Sequence, residues 1–304
     1  MVSGARLALS DALAVGPLTP LDRLTLGYVG VPTLALALSF QYGPIRGWPF
    51  LLLAHALIVT CVLLAPRARR AGTVGRFVGD LYPLLLLAAL YGEIGIFTLH
   101  RGVVHDAAIQ SLEQQVFGAQ VSVTWIRAQP SAALSWVLHA CYLAYYGILA
   151  ASPLGLWASG RRDAARAAIF AIMVTFYLHY AVFLFYPVAG PRYFFPLADN
   201  AATATWPARF IQQLLNRADS WGAAFPSSHV AATVVATGMA WLGWRALGLA
   251  LLPLAVGLTL GVVYGQFHYG VDAAAGLLGG LAVLLAFARR GGERRAGAGS
   301  RMIC

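Results

Sequence analysis

Residues 225–231, FPSSHVA, place two serines and a histidine directly before a long apolar run. Pro226 suits the first position of a helix, because its missing N–H would have no partner there in any case. The small side chains of Ser227 and Ser228 let an anion approach the free N–H groups of the first turn, where the helix dipole also favours negative charge. We therefore predict a phosphate-binding helix start, with His229 in its first turn as an acid or a base.

A second histidine lies in FHYGVDAAAG, residues 267–276, and an aspartate follows it four residues later. On a helix these side chains would share one face, so Asp272 would accept a hydrogen bond from one ring nitrogen of His268. That bond would fix the tautomer and leave the other nitrogen as a nucleophile or base. A lone membrane histidine can also be a packed, hydrogen-bonded group, but ionisable groups in membranes are costly and usually functional.

An arginine lies in GPRYFFP, residues 190–196, just after another apolar run. Gly190 and Pro191 favour a turn, and Arg192 offers a two-pronged guanidinium to a phosphate group. A contact with lipid headgroups is the simpler alternative for one loop arginine. We favour phosphate binding, because the membrane topology described next places Arg192 on the same side as both histidines.

The elements that position these residues are membrane helices. Of the 304 residues, 60% are apolar and 11% are charged, whereas a soluble domain has about 25% charged residues. Repeated apolar runs approach or exceed the ~18 residues of a membrane span. We predict an all-α, polytopic transmembrane bundle. Its eight spans are 24–41, 48–65, 78–99, 131–151, 165–186, 226–244, 247–266 and 268–288.

The arginines test this topology and orient it. All 21 basic residues are arginine, which excludes lysine Schiff-base chemistry. With both termini cytoplasmic, 15 arginines fall inside and 6 outside, in the sense of the positive-inside rule. This arrangement places the two histidines, the two serines, Asp272 and Arg192 at the outer surface. The basic excess follows the membrane, so it gives no indication of nucleic-acid binding.

Two long outer segments and three buried ionisable groups complete the prediction. Residues 106–118 and 207–221 have the pattern of amphipathic interfacial helices, either anchors or lids over an outward pocket. Glu93, His139 and His179 fall in the outer halves of their spans. They could form a headgroup or acceptor pocket, or could simply pair with one another for packing.

A metal site is not predicted from the sequence. The three cysteines are scattered, without metal-ligand or disulfide spacing. His100, His105, Asp106 and Glu113 are close in sequence, but their spacing fits no common metal site. We expect no metal and no cofactor.

The three motifs GPRYFFP, PSSH and HYGVD resemble the signature motifs of the type 2 phosphatidic acid phosphatase superfamily of lipid phosphatases and phosphotransferases. That family's patterns are K-x6-R-P, P-S-G-H and S-R-x5-H-x3-D. Two cationic positions differ, because Phe185 and Val262 stand where the patterns have lysine and arginine. The HYxVD form, the outer stretch EQQVFGAQVSVTWIRAQPS and YLAYY are similar to the inositol phosphorylceramide synthase branch.

The resemblance implies roles for the motif residues. His268 would be the nucleophile that forms a phosphohistidine, Asp272 its orienting partner and His229 the general acid and base. Arg192 and the amides around Ser227 and Ser228 would stabilise the transferring phosphoryl group. The resemblance also implies a division of the chain. Residues 1–74 would form the cytoplasmic N-terminus and two accessory spans, residues 75–290 a six-span catalytic core, and residues 291–304 a cytoplasmic tail.

These expectations favour an integral enzyme of a bacterial plasma membrane, acting at the outer leaflet on a phospholipid or lipid phosphate. The acceptor would be an alcohol or water, with a preference for transfer of an inositol-phosphate-type headgroup. An isoprenoid (undecaprenyl) pyrophosphate phosphatase is the alternative within enzymes. A lipid transporter or flippase, with Glu93, His139 and His179 as a relay, is the alternative outside enzymes, and a non-catalytic binding relative is a third.

Overall fold

A computed structural model describes residues 17–300, with the backbone alone described for 290–300. The first 16 residues of the predicted N-terminal segment, and residues 301–304 of the predicted tail, lie outside this range. Arg6 and Arg301 of the topology count therefore lie outside it too. Within the described residues there are helices and no strand, apart from one isolated bridge between Val188 and Ala223. The predicted all-α class is confirmed.

The chain forms two compact units, Met1–Leu90 and Tyr91–Cys304. The division falls inside one long helix, α3, and the predicted boundaries at 74 and 290 stay a prediction. Each unit is described separately below. The first contains α1 Pro20–Ser39, a 3₁₀ turn Phe40–Tyr42, α2 Trp48–Arg70 and the first part of α3 Gly72–Arg101.

A buried carboxylate holds the first unit together. Asp22 also closes a capping box with Thr19 at the start of α1. Its carboxylate accepts hydrogen bonds from Arg69 of α2 at 2.7 and 2.8 Å, and from the Tyr82 hydroxyl of α3 at 2.9 Å. The Asp22 carboxylate therefore connects three helices, and Arg69 also pairs with the buried Asp80 at 3.4 Å.

The second unit contains the end of α3 and nine further helices of the described chain. Its central helix, α10, is apolar on nearly every face and packs against α6, α7, α11 and α12. A helix that is apolar all round is expected to lie inside a bundle. The helices are α4 Asp106–Phe117, α5 Val121–Ala128, α6 Ala132–Ala158, α7 Arg162–Phe185, α8 Pro191–Phe194, α9 Trp206–Ala218, α10 Ser228–Gly243, α11 Arg245–Tyr264 and α12 Gly270–Ser300.

All eight predicted spans are helical, but fewer of them have the length and composition of a membrane span. Within residues 17–300, six helices satisfy both criteria, and a seventh does if the two segments of α6, bent by 44°, count as one span. The predicted span 226–244 is the exception, because α10 has only 16 residues. Its length is set by the Ser227 cap and by the extended backbone of Trp244, which separates it from α11.

These long apolar helices make the protein a multi-pass integral membrane protein. Their surfaces carry many exposed large apolar side chains, as expected where lipid is the solvent. The predicted amphipathic segments also form helices, α4 for 106–118 and α9 for 207–221. Both belong to the second unit, which also contains every predicted site residue.

Candidate functional site

The two predicted histidines face each other at one end of the second unit. His268 lies in the loop between α11 and α12, and His229 is the second residue of α10. The Nε2 atom of His268 is 3.5 Å from Nδ1 of His229, and the two ring centroids are 5.6 Å apart. Residues separated by 39 positions are therefore close enough to share a proton or to contact one phosphoryl group.

A backbone carbonyl, and not the predicted aspartate, fixes the His268 ring. Nδ1 of His268 lies 2.9 Å from the carbonyl oxygen of Ala224 and 3.6 Å from Oδ2 of Asp272. A carbonyl can only accept, so Nδ1 carries the proton and Nε2 keeps its lone pair toward His229. His268 also precedes the helix that contains Asp272, so the two do not share a helical face as the spacing predicted.

Asp272 shapes the turn that carries His268. Its Oδ2 atom accepts a hydrogen bond from the Tyr269 amide at 2.8 Å, and its backbone carbonyl accepts one from the Ser227 amide at 3.0 Å. Its other carboxylate oxygen, Oδ1, is buried and has no partner among the described residues. Asp272 thus connects the His268 loop to the start of α10, with a carboxylate beside the imidazole.

Burial keeps His268 neutral. It lowers the pKa of His268 from the ordinary value of 6.5 to about 4, although the charge of Asp219 and the bond to the Ala224 carbonyl act in the opposite direction. A neutral imidazole with a free Nε2 lone pair is the form that can act as a nucleophile.

The α10 helix starts at Ser228, two residues after the predicted Pro226. Ser227 is the N-cap, and its hydroxyl accepts a 3.4 Å hydrogen bond from the Val230 amide. The hydroxyl of Ser227 thus serves the helix. The backbone amides of Ser228 and His229 have no partner within residues 17–300. The predicted anion-binding groups are therefore these two amides of the first turn.

Arg192 lies in the same cavity, but it is already paired. One guanidinium nitrogen donates to Asp219 at 3.0 Å and the other to Asn216 at 2.6 Å. Asp219 also accepts hydrogen bonds from the hydroxyls of Tyr91 and Tyr193. Sequence reasoning missed Asp219, because a carboxylate just after a surface helix has no spacing that relates it to an arginine 27 residues earlier.

The histidines, Arg192 and Asp219 surround one small open cavity. Its walls include Tyr142, which stacks on His229 with ring centroids 5.5 Å apart. The cavity therefore combines two imidazoles, a guanidinium and a carboxylate with aromatic walls.

The three other predicted pocket residues do not line this cavity. His139 bonds to the Ser135 carbonyl at 2.8 Å, and His179 to the Thr175 carbonyl at 2.7 Å, each within its own helix. Glu93 is buried in α3. The ring of His139 meets the edge of Phe267, a cavity wall residue, with ring centroids 5.7 Å apart.

Among the described residues, no group of three or more histidine, cysteine, aspartate or glutamate side chains is arranged to hold a metal ion. Asp106 and Glu113, considered above as metal ligands, accept hydrogen bonds from backbone amides instead.

The fold and the site define a class: a helical membrane protein in which an imidazole pair and a guanidinium meet in one cavity. The sequence model of the PAP2 superfamily matches residues 107–287, more than half of the chain, and the chain therefore belongs to this superfamily. The matched range contains Arg192, both histidines and Asp272. Neither curated proteins nor solved structures gave a significant match. Membership supports an enzyme with a phosphatase-type action on lipid phosphates.

Proposed function

We propose that the protein transfers a phosphoryl or phospho-headgroup from a lipid phosphate ester to a hydroxyl acceptor through a phosphohistidine at His268. The observation that carries this proposal is the position of the His268 ring. Its Nδ1–H is bonded to the Ala224 carbonyl, and its Nε2 lone pair is directed at His229, 3.5 Å away. Superfamily membership supports the same chemistry at a coarser level.

In the first half-reaction, Nε2 of His268 attacks phosphorus and forms a P–N bond. Burial and the neighbouring His268 lower the pKa of His229 to about 3 in the free protein, so His229 becomes protonated only when the anionic substrate is bound. The P–O bond to the leaving group breaks, and this proton passes from His229 to the leaving oxygen. In the second half-reaction His229 takes a proton from the acceptor hydroxyl, whose oxygen attacks phosphorus as the P–N bond breaks. The products are the leaving alcohol and either inorganic phosphate or a new phosphate ester.

Three groups would stabilise the negative charge of the transferring phosphoryl group. Arg192 and His229 line the cavity, and the amides of Ser228 and His229 belong to the first turn of α10. Positively polarised groups held in place before the reaction are worth more than mobile water, because they need no reorganisation. The carboxylate of Asp272 would offset the positive charge that the imidazole of His268 gains when it binds phosphorus. The scheme uses no metal and no cofactor.

The acceptor decides between hydrolysis and transfer, and we propose transfer of an inositol-phosphate-type headgroup to an alcohol acceptor. The absence of a second arginine at position 262 supports this preference, since it matches the HYxVD form of the transferase branch. Purified protein given an inositol phospholipid labelled in its phosphate, with and without a lipid alcohol as acceptor, would test it. A labelled lipid product that forms only with the acceptor supports transfer, whereas labelled inositol phosphate or inorganic phosphate alone supports hydrolysis.

The intermediate provides a direct test of the chemistry. Rapid quenching at alkaline pH should leave the labelled phosphoryl group on the wild-type protein as an acid-labile adduct. The His268→Ala variant should carry no label. Labelling of the variant at the wild-type level would refute His268 as the nucleophile.

We also propose that the cavity faces the outside of a bacterial plasma membrane, with both termini in the cytoplasm. The arginine distribution supports this orientation. Trp206 at the start of α9 is exposed. In a chain without its native cysteines, Trp206→Cys should react with a membrane-impermeant maleimide in intact cells. Reaction only after the cells are opened would reverse the orientation.

A further inference from the structure

The helix α4 directs two carboxylates into the protein beside the proposed site. Asp106 is 1% exposed and Glu113 is 0% exposed, and Ile109 between them packs in a core cluster with Val188 and Tyr269. Burying an ionised carboxylate is costly unless hydrogen bonds replace the lost water. The partners of these two groups therefore show what the helix does.

Glu113 binds the first turn of α12. Its Oε1 atom accepts a hydrogen bond from the Gly270 amide at 3.0 Å, and its Oε2 atom accepts one from the Val271 amide at 2.9 Å. A third bond, from the Val121 amide at 3.1 Å, connects the same carboxylate to the start of α5. Glu113 thus occupies the positive end of the helix that directly follows His268.

The glycine of HYGVD fits this contact. A Cβ atom at Gly270 would lie 3.0 Å from the Phe117 ring and 3.3 Å from Oε1 of Glu113. The carboxylate approaches the helix start closely because position 270 has no side chain. The motif and the distant glutamate are therefore fitted to each other.

Asp106 binds the loop that carries the arginine. Its two oxygens accept hydrogen bonds from the Ala189 amide at 2.7 Å and the Gly190 amide at 2.8 Å. It also accepts one from the Tyr269 hydroxyl at 3.0 Å, and Tyr269 is the residue after His268. One carboxylate therefore connects the loop before Arg192 to the loop of the proposed nucleophile.

We propose that Glu113 and Asp106 are positioning residues of the phosphoryl-transfer site, with Glu113 setting the nucleophile loop and Asp106 setting the arginine loop. The inference rests on the proposed function and adds to it. It also gives α4 a defined place as an internal brace. Glu113 fills the start of α12, whereas the first turn of α10 contributes His229 to the cavity wall.

The two carboxylates act on different steps, so their variants should separate kinetically. Glu113→Gln keeps the shape but replaces one accepting oxygen by a donating NH₂ group, which opposes an amide of α12. The nucleophile loop shifts while the arginine loop stays. Since misplacement by about 1 Å can cost ~10²-fold in rate, we expect kcat to fall at least about tenfold with KM and vanadate inhibition nearly unchanged.

Asp106→Asn should have the opposite signature. One of the amides at 189 and 190 loses its acceptor, so the loop that presents Arg192 loosens. We expect the inhibition constant of vanadate, a phosphate mimic, to rise about five- to tenfold, with a similar rise in KM and a smaller fall in kcat. An inhibition constant does not depend on how much protein is folded, so a general loss of structure would not produce this result.

Two further variants keep the test decisive if a buried substitution lowers expression. Tyr269→Phe removes the hydroxyl that donates to Asp106 and accepts from Gln110, and it should raise the vanadate constant about twofold. Gln115→Ala changes an exposed residue of the same helix and should leave kcat, KM and vanadate inhibition at wild-type values.

The outcomes separate this inference from the proposed function. Wild-type protein without phosphoryl transfer to any acceptor would overturn both. Active wild-type protein with Glu113→Gln and Asp106→Asn unchanged, or with both lowered only in kcat in proportion to the folded fraction, would overturn the positioning roles alone. A fall of kcat in the first variant with a vanadate shift in the second supports them.

Discussion

Two helix starts lie side by side in this protein, and their first turns are used in opposite ways. At α12, Glu113 accepts hydrogen bonds from the amides of Gly270 and Val271. At α10, the Ser227 hydroxyl caps only Val230, and the amides of Ser228 and His229 stay without a partner in the described chain. Both starts carry a positive partial charge, but only the second can offer it to a ligand.

This difference shows that a helix start next to a histidine is not a binding site by position alone. An internal carboxylate converts one start into a rigid support for His268. The open start keeps its electrostatic attraction for the substrate. Variants that disturb the supported side should therefore affect chemistry and stability, whereas variants around the open start should affect phosphate binding.

The largest effect is expected for the group between the two helix starts. His268→Ala removes the proposed nucleophile, and we expect turnover to fall by at least about 10³-fold, the scale of losing a covalent nucleophile. The control is His55→Gln in the first unit, which should keep wild-type turnover. Release of labelled phosphate, measured at equal protein by size-exclusion chromatography, checks both. Full activity of His268→Ala would contradict the mechanism.

A smaller loss of activity is expected for the arginine that would bind the phosphate group. Arg192→Ala should lower kcat/KM about 10²-fold, the usual scale for one charge-stabilising group, and should weaken vanadate inhibition. Arg217→Ala, an exposed arginine of α9, is the matched control and should behave as wild type. Equal losses in both variants would indicate general attraction to anionic lipids and would remove Arg192 from the site.

The close packing between the starts of α10 and α12 should make stability sensitive to one added methyl group. A Cβ at Gly276 of α12 would lie 2.3 Å from the Ser227 carbonyl oxygen, whereas a Cβ at Gly279 would have its nearest neighbour at 3.7 Å. Gly276→Ala should lower the melting temperature by several degrees, because about 1–3 kcal/mol is typical of overpacking. Gly279→Ala should be neutral or slightly stabilising. Equal melting temperatures would mean that the helices can separate without cost.

The smallest effect on activity is expected when the pH is lowered. His268 has a pKa lowered to about 4, so its neutral form persists as the pH falls from 7 to 5.5. An ordinary histidine, with a pKa near 6.5, would be only about one-tenth neutral at pH 5.5. The rate of phosphoenzyme formation, measured by quenched flow, should therefore fall by less than about twofold over this range, and protonation of His229 by acid can only raise it. A tenfold loss would mean that His268 titrates normally.

Much of the fold followed from the sequence, because each membrane helix is encoded by a continuous apolar run. All eight predicted segments are helices, and the amphipathic segments became α4 and α9. The exception was α10, which is shorter than a membrane span. A helix surrounded by protein does not need the length that lipid contact requires, and composition alone does not distinguish the two surroundings.

The site was predicted in part. The meeting of His229 and His268 followed from motifs that could be read locally. The partner of His268 did not, since the Ala224 carbonyl has no sequence signature. Glu113 was equally hidden, because its bond to the Gly270 amide joins residues 157 positions apart without any periodic pattern.

The amino-acid sequence by itself determined that the chain lies in a membrane, which residues carry imidazole and guanidinium groups, and which helices they precede. Those properties depend on side-chain chemistry and local hydropathy. Only the tertiary structure decided which ring nitrogen is free, that Arg192 pairs with Asp219, and which helix start is closed. Hydrogen bonds to backbone groups depend on where the chain passes, and any residue can supply a carbonyl or, proline apart, an amide.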